Sequence, residues 1–188
     1  MYREGTTWCT PHLTWWQHLT TEPSPLASAD RLVFRESHAR LLYKLQRRDE
    51  LDRESVRLAE LPTLTPAVQA LQCFRGISLH SAMVLATEIT DWRRFERPGH
   101  LASYVGLVIR ESSSGAHQRL GSITKAGNRH CRHVLVQAAW SYRHRPATSM
   151  DLKRRQIGQP PGVITHAWKA QHRLHQRFNH LVYRKRPQ

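Results

Sequence analysis

Acidic residues are nearly missing from the C-terminal part of this chain. Residues 112–188 hold a single one, Asp151, against 15 Lys and Arg, a net of +14. Residues 1–111 hold 14 Lys and Arg against 13 Asp and Glu, a net of +1. With so few acids there is no carboxylate cluster suited to two-metal phosphoryl chemistry. Cysteine is scarce as well: Cys9, Cys73 and Cys131 are odd in number, far apart and form no CxxC pair. That excludes a disulfide framework and fits a reducing cytoplasm. The pairs His130/His133 and His172/His175 have a spacing that can ligate zinc on a helix, but no further ligand stands near either, so no metal site is expected. No apolar run approaches the roughly 20 residues that span a bilayer. Arg3 and Glu4 open a polar N-terminus with no signal-peptide core. Neither a P-loop nor a Rossmann glycine pattern occurs, and no amphipathic anchor with a lipid-facing aromatic edge.

What is present is concentrated positive charge, and a surface tolerates that best opposite a polyanion. Nucleic acid is therefore the expected partner, and a cytoplasmic, nucleoid-associated location follows from it. The 188 residues suit one domain with an appended element, and 39% apolar residues and six Trp allow a core. Trp and Tyr interleave with the cations, as in single-strand binders. Our expectation, however, is that these aromatics lie in the core.

The pattern along the chain predicts a mainly α fold in three parts. Residues 1–25, with Trp8, Trp15 and Trp16 among Thr, His and Pro, read as an irregular linker remnant. Residues 26–65 read as a long helical arm, free of Gly and Pro from Leu26 through Leu61. Phe34, Leu41, Leu42, Leu45, Leu51, Leu58 and Leu61 form its stripe. Two readings are open for it: a coiled-coil-like arm that builds a homo-oligomer, or a surface helix packed on its own domain. Residues 66–188 read as a helical domain. Helices are predicted over about 67–74, 79–89 and 98–104. A small hairpin is expected between Leu107–Arg110 and Gln118–Thr124, across a Ser-Ser-Ser-Gly turn. A helix capped by Asn128 follows, with Cys131, Leu135, Ala138 and Tyr142 inward and Arg129, Arg132 and His133 outward. A short basic helix holds Lys153, Arg154 and Arg155. The last helix opens at Pro160-Pro161 and is expected to bury Val163, Ala167, Leu174, Phe178 and Leu181.

Three constellations could carry chemistry. Leu71–Ile89, with its turn Arg75-Gly76-Ile77-Ser78, has the form of a helix-hairpin-helix, whose turn and following helix N-terminus can meet a phosphate. An ordinary helical hairpin fits the same residues. Arg110–His133 gathers Arg110, Arg119, Lys125, Arg129 and Arg132 with His117, His130 and His133 against one acid, Glu111, and glycines interrupt it. This is a candidate phosphate-binding segment. Finally, Ser112, Ser113 and Ser114 sit among those cations, where a hydroxyl could attack a phosphodiester whose charge is withdrawn. A serine-rich turn is equally the composition of a plain turn.

The order of these motifs resembles a known family. Phe74-Arg75-Gly76-Ile77, Ala86-Thr87-Glu88-Ile89, Leu101–Leu107 and Ser113-Ser114-Gly115 are followed by Gly121-Ser122-Ile123-Thr124-Lys125-Ala126-Gly127-Asn128-Arg129-His130 and Ala138–Arg143. The series is similar to the C-terminal transposase domain of the bridge-RNA-guided, serine-dependent insertion-sequence transposases, over about residues 67–186. Ile109 and Ser112 depart from that pattern, where the family often has Pro and an aromatic. The resemblance implies DNA excision and insertion through a serine nucleophile, Ser114 first and Ser113 second. It also implies contacts to nucleic acid through Arg75, Gly76, Ser78, Arg110, Arg119, Lys125, Asn128, Arg129 and Arg132. A structured guide RNA and an oligomer are implied partners. Magnesium belongs to a RuvC-like acidic domain outside this sequence, so no cofactor is expected on this chain. The expectation is a transposase fragment that keeps nucleic-acid affinity but does not recombine alone. The competing reading is a non-catalytic helix-hairpin-helix module or an inactive relic.

Overall fold

The computed structural model describes residues 10–21, 26–111 and 120–184. They form α1 (Thr10–Thr20), α2 (Ser28–Ala59), α3 (Thr65–Gln72), α4 (Leu79–Ile89) and α5 (Pro98–Tyr104). Strands β1 (Ile109–Glu111) and β2 (Leu120–Ile123) follow, then α6 (Arg129–Ala139), α7 (Met150–Gln156) and α8 (Pro161–Arg184). The fold is thus mainly helical, with one small antiparallel ribbon. Contacts divide the chain into two compact units, residues 1–54 and 55–188.

In the first unit, the segment expected to be irregular contains α1. No Gly or Pro follows Pro11 before Pro23, so nothing breaks a helix there. Trp16 of α1 faces Phe34 and stacks on His38 of α2, with ring centroids 5.8 and 6.1 Å apart. The long helix is present as expected, but no residue of it is buried. Phe34, Leu41 and Leu45 of the expected stripe are half-buried, whereas Leu42 and Leu51 are exposed. Salt bridges such as Arg47–Glu50, at 3.0 Å, lie on its solvent side.

The second unit is built on α3 and α4, which pack on each other across a short turn, with α6 packed against α4. Val68, Ile77, Ala82, Met83, Leu85, Ala86, Ile89, Val105, Cys131, Val134 and Ala138 form its core. Ala82 and Ala86 of α4 and Cys131 and Ala138 of α6 are the small members of this core. Gly76, at φ +83°, closes the α3–α4 turn against the end of α6. A Cβ there would stand 2.6 Å from the Ala138 carbonyl and collide with Ser141 Oγ. The Gly76 requirement is therefore set by protein packing as well as by turn geometry.

Two expected faces are corrected. On α6 the inward position is Val134, with Leu135 half-buried, and Arg132 is drawn inward by a 2.8 Å bond from Nη1 to the Val105 carbonyl. On α8, Leu174 and Leu181 are exposed, Val163 and Phe178 are half-buried, and only Ala167 of the expected stripe is buried. The place beside Ala167 is taken by Gln171, 1% exposed, whose Oε1 accepts from Ala147 N at 3.3 Å. One turn on, His175 Nδ1 donates to the Tyr142 carbonyl at 3.0 Å, and Asn179 Nδ2 donates to His175 Nε2 at 3.1 Å. A carbonyl only accepts, so Nδ1 carries the hydrogen of this bond. The aromatics also depart from expectation: Tyr142 is buried, but Trp140, Trp168 and Tyr183 are exposed.

Candidate nucleic-acid interface

The expected hairpin forms. Ile109 pairs with Ile123 and Glu111 with Leu120, with one irregularity in register between them. It is moored to the preceding loop by Thr124 N to Val108 O at 2.9 Å and Lys125 N to Gly106 O at 3.1 Å. Ser112, Ser113, Ser114 and Arg119 lie outside the described residues, between the two strands. Arg110 is exposed on β1. Lys125 is exposed just past β2 and takes a left-handed backbone, φ +56°, unusual for a side chain with a Cβ.

Beyond Lys125 the chain turns into α6 through a tight joint. Gly127 sits at φ +142°, and a Cβ on it would run into the Tyr104 carbonyl. Asn128 N donates to that same carbonyl at 2.9 Å. The Asn128 side chain then serves two ends. Its Oδ1 accepts from His130 N and Cys131 N, both at 3.0 Å, which caps α6. Its Nδ2 donates to Glu88 Oε2 at 2.6 Å. Tyr104 completes the cluster by donating its hydroxyl to the Glu88 carbonyl at 2.9 Å. The Asn128 side chain is thus engaged inside the protein. Glu88 and Tyr104, which the sequence reading did not single out as site residues, hold it there. Under the cap, burial pushes the Cys131 thiol up from its ordinary value, and the nearby Glu88 carboxylate adds to that.

This joint sets the first turns of α6 beside α4 and β2. A groove of about 610 Å³ opens there, lined by His80 and Val84 of α4, Ile123 of β2, and Arg129, His130, Arg132, His133, Val134 and Val136 of α6. Arg129, His130 and His133 are exposed, while Arg132 reaches inward to Val105 O. Among the described residues, no Asp or Glu lines the groove. His80 is a groove residue that the sequence reading missed. Its signal is position alone, one residue into a helix whose partner face only the fold reveals.

The α3–α4 turn lies apart from this lining. Arg75 is half-buried and donates from Nη1 to the Arg145 carbonyl at 2.8 Å. Ser78 is exposed and caps α4 by accepting from Ser81 N at 3.3 Å. Arg155 of α7 braces the turn with a 2.6 Å bond to the Ile77 carbonyl. Among the described residues, no group of three or more His, Cys, Asp or Glu is placed to hold a metal ion. None of their helices is long and apolar enough to cross a membrane.

Fold and surface define a helical domain that turns a concave, acid-free basic face to solvent beside a two-stranded ribbon. Residues 68–153 match the model of the transposase IS116/IS110/IS902 family. The chain is 41% identical over 122 residues to y4qE of Sinorhizobium fredii, which is named as a transposase; the match covers 65% of this chain and 31% of that protein. It is 32% identical over 128 residues to a Pseudomonas aeruginosa protein named as a family 20 transposase, covering 64% and 35%. It is 26% identical over 183 residues to the transposase for insertion sequence element IS1533 of Leptospira borgpetersenii, covering 93% and 49%. The chain therefore spans about a third to a half of the length of these relatives. Residues 68–153 are thus similar to a transposase domain of the IS116/IS110/IS902 kind.

Proposed function

We propose that this chain binds DNA and supplies the serine nucleophile of an insertion-sequence transposase. The observation that carries the reading is the continuity of the ribbon with the basic groove: β2 contributes Ile123 to the groove wall, and its partner strand β1 is followed directly in the sequence by Ser112–Ser114. In this reading Arg129, with His130 and His133, holds DNA phosphates, and Arg110, Lys125 and Arg119 serve the phosphate next to the turn. Arg75, Gly76 and Ser78 form a second contact at the α3–α4 turn. Asn128 and Arg132 act by positioning, because their side chains bond within the protein.

Ser114 Oγ gives up its proton and attacks the phosphorus, the bond to one deoxyribose oxygen breaks, and that oxygen takes up a proton, so the step is a transesterification with no net proton change. A phosphoserine ester keeps the energy of the broken bond for rejoining to a second strand. Guanidinium and ammonium groups stabilise the charge that builds on the phosphoryl oxygens. A structured guide RNA and self-association through residues 26–65 complete the proposed assembly.

The test is Ser114→Ala in a transposase whose C-terminal part is this chain. Strand-exchange products should vanish while DNA retention in a gel shift persists, and Ser113→Ala should keep both. Products that survive Ser114→Ala would move the nucleophile elsewhere. The second reading, a non-catalytic helix-hairpin-helix module, rests on the α3–α4 hairpin with its positive-φ Gly76 and exposed Ser78. It predicts that neither serine change alters any activity and that Ser78 and Arg75 changes weaken binding.

A further inference from the structure

A large aromatic side chain stands in solvent where α6 ends. Trp140 opens a short 3-10 turn, Trp140–Arg143, and is 64% exposed. With Val136, Ala139 and Phe178 it lines a shallow apolar recess of about 280 Å³ between that turn and α8. The recess falls just short of the range of drug-sized ligand pockets, so a small-molecule site is disfavoured. Leu174 and Leu181, at i−4 and i+3 from Phe178, extend the same strip of α8 and are exposed. Partner residues on a well-packed core do not account for Trp140, since the turn is already fixed from beneath by Tyr142 and by His175 bonding to its carbonyl.

The surroundings select the occupant. In a 3-10 turn, positions i and i+3 eclipse, which sets Arg143 along the same edge as Trp140. Arg173 and Arg177 are exposed one residue before Leu174 and Phe178, so they make a parallel cationic strip one turn apart. The helices α6 and α8 and the turn between Trp140 and Arg143 contain no Asp or Glu. A second copy of this face would bring like charge against like charge. A flat aromatic flanked by cations and free of acids suits a base with a phosphate on either side. We propose that Trp140, with Phe178 beside it and Arg143, Arg173 and Arg177 as its rim, is a stacking platform for unpaired bases of single-stranded nucleic acid. It meets the α4–α6 groove only at Val136, which lines both, and is independent of the serine chemistry.

The experiment measures binding of the 188-residue chain to fluorescent oligo(dT), oligo(U) and a duplex of the same length. Trp140→Ala should weaken single-strand binding roughly ten-fold, the loss of about one stacked base, and leave duplex binding within two-fold. Trp140→Phe should restore most of the affinity, because a ring is kept. Arg177→Gln should lower the salt slope for single strands by about 0.7. The arm, dT or U, that shows the larger Trp140-dependent loss identifies the strand type. Circular dichroism of each variant checks folding, and the exposure of Trp140 makes the change tolerable. The proposal is overturned if single-strand affinity is unchanged in Trp140→Ala, or if single-strand and duplex affinity fall together. It is equally overturned if the variant's only effect is to dissociate an oligomer or to release the chain from anionic vesicles.

Discussion

At the scale of single residues, the groove depends on an asparagine that does not itself reach solvent with a free group. Asn128 caps α6 with its oxygen and ties α4 with its nitrogen, so one side chain sets the angle at which Arg129 and His133 are presented. Asn128→Ala removes the cap and leaves the Glu88 carboxylate short of a donor; we expect a loss of about 1–3 kcal/mol in urea unfolding. Asn128→Asp should keep the cap but set two carboxylates against each other, so it should lose stability as pH rises through the carboxylate range. Lys125 offers the opposite kind of probe. Its φ of +56° costs the folded state, so Lys125→Gly should leave stability within about 1 kcal/mol while lowering nucleic-acid affinity. Cys131 gives a pH signature. Burial raises its folded value, so the unfolded chain loses the thiol proton first. Its contribution is complete below the ordinary thiol range and is lost as pH climbs from about 8.5 towards the raised folded value. Urea midpoints of the native chain should therefore fall across that window more steeply than those of Cys131→Ala.

At the scale of elements, the ribbon and α8 carry different lessons. The ribbon's two strands were legible in the sequence because β-branched and apolar residues flank a serine-glycine turn. Helices α4 and α5 were legible almost to the residue, bounded by Ser78 and Pro98. The long arm was legible as well, but its burial was not: the apolar spacing marks a stripe without saying what covers it. On α8 the apolar pattern pointed to Leu174 and Leu181, yet the fold buries Gln171, half-buries His175 and leaves those leucines outside. A polar residue enters the interior when backbone groups there need partners, and the Ala147 N–H and Tyr142 carbonyl that these side chains satisfy lie far away in the sequence, where a local pattern cannot anticipate them. Gln171→Leu should consequently destabilise by about 1–3 kcal/mol despite being more apolar, as read by thermal unfolding. The inward turn of Arg132 was hidden for the same reason, since its acceptor, the Val105 carbonyl, is far away in sequence. At Gly127, one of the glycines that interrupt the candidate phosphate-binding segment, the backbone that approaches closely is the chain's own Tyr104.

For the whole molecule, charge asymmetry was the most legible property, and the fold gives it a shape. Residues 112–188 carry a net of +14, and their described cations are spread over the groove, α7 and the outer face of α8. Affinity for duplex DNA should then fall steeply with salt. Arg129→Gln should reduce the slope of log K against log salt by about 0.9, the share of one phosphate, whereas Arg47→Gln on the balanced arm should leave it unchanged. The central claim, a serine that joins covalently to DNA beside this groove, is open to direct chemical inspection. Trypsin cleaves after Arg110 and Arg119, so the serine turn leaves as one peptide, Glu111–Arg119. The decisive measurement is mass spectrometry of that peptide after a transposase containing this chain has been stalled on a nicked substrate. The account predicts a nucleotide adduct on Ser114 that disappears in Ser114→Ala. Strand exchange that proceeds with this peptide unmodified, or an adduct found on another peptide, would contradict it.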